Sequence, residues 1–67
     1  MEILINHKSS EPIYEQIDTQ IKQMILSGTL QDGDIITSVR MLAKELGVGV
    51  LTVQKAYDKL QNEGIIE

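Results

Sequence analysis

Residues 38–60 hold Arg40, Lys44, Lys55 and Lys59 against only Glu45 and Asp58, a local balance of +2 in a 67-residue chain whose formal net charge is −4. Residues 1–37 balance to −4, and Glu63 and Glu67 supply the rest. Cations gathered in one segment are suited to phosphate contact, which needs positive charge locally even where a whole domain is acidic. Other side chains have the right type for chemistry but the wrong setting. Glu11 with Glu15, or Asp32 with Asp34, resembles an acid/base pair, yet carboxylates on helix faces and turns are ordinarily solvated, and so small a core leaves no room for a catalytic pocket. No catalytic residue, and hence no enzyme, is expected. His7, the one histidine, lies in a polar arm as an exposed titratable group, and with no cysteine present neither a metal site of His and Cys ligands nor a disulfide is available. No cofactor is implied.

The segment that carries the cations also carries a distinctive spacing. Leu42, Ala43 and Leu46 fall on one face of a short helix, Gly47 stops it, Val48 follows as a buried plug, and Val53, Ala56, Tyr57 and Leu60 resume at helical spacing. Ala43 must be small where a second helix crosses closely, and Gly47 can take the left-handed conformation that turns the chain. This is the pattern of a helix-turn-helix, in which the free face of the second helix enters the major groove of DNA. A competing reading is a helical protein-interaction module that uses the acidic face of the first helix.

The rest of the chain must support this pair. Ile3-Leu4-Ile5 predicts a short strand or an ordered arm over residues 1–10. Ser10 or Glu11 ahead of Pro12 predicts the start of a first helix. Ile13, Ile17, Ile21, Met24 and Ile25 form its inner stripe, Glu15, Gln16, Asp18, Gln20 and Gln23 its exposed side, and Gly28 its stop. Asp32-Gly33-Asp34 predicts a turn, Ile35-Ile36 a short strand, and Ser38 the cap of the second helix. Gly64 ends the third helix, and Ile65-Ile66 open a strand that either pairs with Ile35-Ile36 or, on the preferred reading, leads into a longer protein. The expected helices lie near 12–27, 39–46 and 50–63, with Ile17, Ile21, Ile25, Leu42, Leu46, Val53 and Leu60 buried together. At 42% apolar residues without Phe or Trp, the core must be aliphatic with Tyr14 and Tyr57 as its largest members. No apolar run approaches the roughly 18 to 20 residues that span a bilayer, and the N-terminus lacks the basic flank of a signal peptide, so a cytoplasmic protein is expected.

Three stretches, "PIYEQIDTQIKQMILSGTLQDGD", "SVRMLAKELGV" and "TVQKAYDKLQNEGIIE", together resemble the N-terminal winged helix-turn-helix domain of the GntR family of bacterial transcription regulators over Pro12 to Glu67. "PIYEQI" after a short arm and "AYDKL" are most similar to its YtrA-type subgroup. The resemblance implies a mainly α, three-helix winged helix-turn-helix domain with a minimal or truncated wing sheet, divided as an arm over 1–10 and the DNA-binding unit over 11–67. It implies a sequence-specific regulator, a repressor, that binds double-stranded DNA at a palindromic operator as a homodimer in the full-length protein, and no membrane. Arg40 matches an arginine that contacts DNA from the start of the second helix, with Ser38 the cap and phosphate contact beside it. Thr52 matches a residue in the first turns of the recognition helix, and Lys55, one turn on, reaches phosphate or a base edge. Gly49 and Val50 stand where the family usually has a serine and then an arginine, which removes a cap hydroxyl and a guanine reader. Direct readout then shifts to Leu51 and Thr52, with Leu51 meeting a thymine methyl. Asp32 and Thr37 replace usual prolines, and the wing hairpin and the dimerisation segment that follow in the family are not in the sequence.

Overall fold

A computed structural model describes residues 3–30 and 39–66, which form three helices: α1 over Ile13–Leu26, α2 over Val39–Leu46 and α3 over Val50–Asn62. All three expected helices are present, with bounds within a residue of those read from the sequence. α3 is the central element, packing on α1 along one side and on α2 along another. Ile17 and Ile21 of α1, Leu42 and Ala43 of α2, and Val53, Ala56, Tyr57 and Leu60 of α3 are buried together, with Ile3, Leu30 and Ile66 closing the margins. Two expected members, Ile25 and Leu46, are only partly buried. Each lies in the last turn of its helix and packs against the margin of the core.

Each helix ends by the same device. After α2, the Val48 N–H donates to the Ala43 carbonyl at 3.0 Å and the Gly47 N–H to Lys44 at 3.3 Å, closing a Schellman turn that requires a left-handed residue at its corner. Gly47 supplies it at φ 67°. Equivalent pairs of bonds follow α1 and α3. The start of α1 differs from expectation: Pro12 itself is the cap, its carbonyl accepting from the Glu15 and Gln16 N–H groups at 3.1 Å each, with no capping side chain. The proline ring fixes φ, here −57°, in the range of an extended cap residue, and ψ is 150°; the Ser9 hydroxyl is used one step earlier, on the Glu11 N–H at 3.1 Å.

The described residues contain no strand. Residues 3–6 form an arm in which Ile3 and Ile5 face the core while Leu4 points outward, the alternation of an extended chain. Its backbone is satisfied by side chains of α1. Leu4 exchanges two hydrogen bonds with the Gln20 amide at 2.9 and 2.7 Å, and Asn6 exchanges two with the Gln16 amide at 2.8 and 3.0 Å. Alternate arm residues rise about 6.6 Å and residues one helical turn apart about 6 Å, so two glutamines at i and i+4 mimic a partner strand.

This overturns the expected exposed side of α1: Gln16 and Asp18 are buried and Gln20 is half-buried. Ile65-Ile66 likewise form no strand. The Ile65 N–H is consumed by the Leu60 carbonyl at 2.9 Å in the turn that ends α3, and Ile66 folds back into the core. The expected Asp32-Gly33-Asp34 turn, the Ile35-Ile36 strand and the Ser38 cap lie outside the described residues. Among the described residues no helix is long and apolar enough to cross a membrane.

Candidate nucleic-acid interface

Because α3 turns Val53, Ala56, Tyr57 and Leu60 inward, its 3.6-residue period puts Leu51, Lys55, Asp58 and Asn62 on the opposite side, and all four are exposed. Leu51 leaves 84% of its surface open and Val50 beside it 44%. Gly49 is the N-cap, at φ −69° and ψ 148°, and offers no capping side chain. Its carbonyl accepts from the Thr52 and Val53 N–H groups at 3.1 and 3.3 Å. A Cβ at Gly49 would meet only the Thr52 hydroxyl, at 3.9 Å, so neither backbone nor packing demands glycine there. Its effect is to leave the entrance to α3 open. Thr52 itself is half-buried beneath that entrance.

The cations divide into two groups. Arg40 and Lys44 lie one turn apart on the exposed side of α2. The Lys55 ammonium stands 4.2 Å from the centre of the Tyr14 ring, a cation–π contact that biases a flexible side chain toward this position. Tyr14, expected in the core, is half-buried and serves as the platform. Nothing in the sequence pattern singled out this pair, since an aromatic on the inner stripe of a helix is ordinarily just packing.

Lys59 does not belong to the outer face. Its ammonium lies 3.0 Å from Asp18 Oδ2 and 3.5 Å from Glu15 Oε1. Lys22 stands 3.5 Å from the same Asp18 oxygen and 2.9 Å from Glu63 Oε2. Two lysines and three carboxylates thus close the seam between α1 and α3, with the Asp18 side chain 1% exposed at its centre. The hydrogen bond to Asp18, aided by the charges of Asp18, Glu15 and Glu63, holds the Lys59 pKa above its usual range. Lys22 is raised chiefly by its hydrogen bond to Glu63, and Glu63 is lowered chiefly by the same bond. Only one Asp18 oxygen is used; Oδ1 finds no partner among the described residues, nor does the Tyr57 hydroxyl. Burial pushes the Tyr57 phenol up to about 12.

Two consequences follow for the surface. The acidic side of α1, the surface on which an interaction module would depend, is spent on Lys22 and Lys59. The outer cations of the helix pair are Arg40, Lys44 and Lys55, two on α2 and one in the first half of α3. Further along the free side, Asp58 accepts a hydrogen bond from Gln54 at 3.0 Å and turns that side negative.

Comparison with known proteins matches residues 13–67 to the family described as bacterial regulatory proteins, gntR family. The HTH-type transcriptional repressor YtrA of Bacillus subtilis is 49% identical over 97% of this chain and 50% of its own length. The HTH-type transcriptional regulator Rv1152 of Mycobacterium tuberculosis is 35% identical over 94% of this chain and 52% of its own. The HTH-type transcriptional repressor NagR of Bacillus subtilis is 40% identical over 92% of this chain and 26% of its own. The chain therefore spans about half, or less, of the length of these relatives. No solved structure matches it.

Proposed function

The chain belongs to the GntR family of bacterial regulatory proteins, and from that premise we propose that it is the DNA-binding part of a transcription repressor, inserting the first turns of α3 into the major groove. The observation that carries this reading is the composition of one helix pair: the start of α3 lies open, and the exposed cations Arg40, Lys44 and Lys55 stand on it without an acidic partner among the described residues. Arg40, and Ser38 ahead of α2, contact phosphate; Gly49 admits the backbone closely; Leu51 and Thr52 face bases; Lys55, over Tyr14, supplies a charge to the phosphates beside them. The protein is cytoplasmic, and two copies of the whole protein read a palindromic operator, each placing one α3 in a half-site. Residues 1–10 are an arm and 11–67 the DNA-binding unit.

Salt dependence of duplex binding tests the reading. Arg40→Ala should weaken binding to all sequences and lower the salt slope by about one phosphate contact, while Lys22→Ala, in the α1–α3 seam, should leave the slope unchanged. Equal effects would mean that another surface meets DNA.

A further inference from the structure

The first turn of α3 presents a side chain with no hydrogen-bonding capacity. Leu51 is 84% exposed, so packing does not account for it, and its neighbour Val50 is 44% exposed. Groups that attract phosphate share the helix pair with this aliphatic tip: Lys55 lies one turn further on the same side, its ammonium over Tyr14, and Arg40 and Lys44 are exposed on α2. One turn beyond Lys55, Asp58 ends the favourable strip. An uncharged aliphatic group carried into the major groove between phosphate contacts can recognise little there, because nearly every base edge in that groove offers a donor or an acceptor. The exception is the 5-methyl group of thymine. We infer that Leu51 is a specificity-determining residue that selects thymine through its 5-methyl group. The inference rests on the DNA reading above and deepens it.

The test removes the methyl from the DNA. The full chain is used to select a preferred duplex from a randomised pool, and that duplex is remade with deoxyuridine replacing one thymine at a time. At one thymine in each half-site the change should weaken binding about three- to fivefold, the loss of one buried methyl group. 5-Methylcytosine at that position should bind better than cytosine by a similar factor. Leu51→Met should keep the dependence on the methyl, and Leu51→Ser should erase it, binding thymine and deoxyuridine duplexes alike. Since Leu51 lies outside the core, both variants should melt as the parent does. Selective binding with no effect of deoxyuridine at any thymine, or no gain from 5-methylcytosine, would overturn the inference and leave the DNA reading standing. Failure of any duplex to be selected would overturn the DNA reading and the inference with it. A Leu51→Ser variant that changed the oligomeric state without DNA would assign Leu51 to a protein contact instead.

Discussion

Gln16→Ala removes more than a surface amide. The Gln16 side chain accepts from the Asn6 N–H at 2.8 Å and donates to the Asn6 and Glu11 carbonyls at 3.0 and 2.9 Å. Each such bond contributes about 0.5–1.5 kcal/mol net. Asn6 and Glu11 are exposed and can rehydrate, so the loss should fall near the lower half of the sum, about 2 kcal/mol. For a domain of this size that lowers the melting temperature by roughly 8–16 °C, readable by circular dichroism. Gln16→Glu is the sharper test. It keeps the acceptor for the Asn6 N–H but sets an acceptor-only oxygen against two carbonyls, so at neutral pH it should be less stable than Gln16→Ala. Burial and the facing carbonyls raise the introduced carboxyl's pKa in the folded state above the unfolded value of about 4.3. A raised folded pKa gives stability that is present below the unfolded value and lost as pH rises through the folded one. The gap between the two variants should therefore narrow as pH falls from 7 to about 4. A Gln16→Ala variant that melts with the parent, or a gap that does not change with pH, would refute the strand-mimicking role of Gln16.

Other expectations follow from the same geometry. Leu60→Ala, at a fully buried position, should cost about 2–5 kcal/mol in urea unfolding, and Leu46→Ala, at a partly buried helix end, distinctly less. Gly47→Ala should cost about 1–2 kcal/mol, because its φ of 67° is left-handed and nothing lies within 4 Å to repack, whereas Gly49→Ala should leave the melting temperature nearly unchanged. The melting temperature should also fall at both ends of the pH scale. Glu63, with its pKa lowered, contributes stability above its unfolded value that is lost on acidification; Lys22, Lys59 and Tyr57, all raised, contribute stability that is lost as pH climbs beyond 10. A melting temperature that rose between pH 10 and 12 would contradict these assignments.

The helix ends were legible because two signals agreed at each C-terminal boundary: an apolar 3.6-residue repeat that ends and a glycine that follows it. Gly28, Gly47 and Gly64 all sit at left-handed corners. What escaped the sequence was polar burial. Asp18 lies on the inner stripe between Tyr14 and Ile21, yet a carboxylate is assigned to solvent unless its partners are known, and Lys59 is 41 residues away. Gln16 points inward only because the arm brings unpaired backbone to it, a tertiary demand that no local pattern contains. The charge balance misled for a related reason. Lys59 counts toward the positive stretch in the sequence but closes the α1–α3 seam, while Lys55 stays outside and rests over Tyr14, an aromatic that periodicity marks only as core.

An isotope-labelled titration with duplex DNA tests the central claim most directly. Amide resonances of the chain should shift on α2 and the first turns of α3, with Arg40, Gly49, Leu51, Thr52 and Lys55 among the strongest, and should change little along Glu15, Asp18 and Lys22. Added salt should reverse the shifts, as counterion-linked binding requires. Shifts centred on α1 or on the end of α3 near Glu63, with the start of α3 unmoved, would contradict the assignment of this surface to DNA.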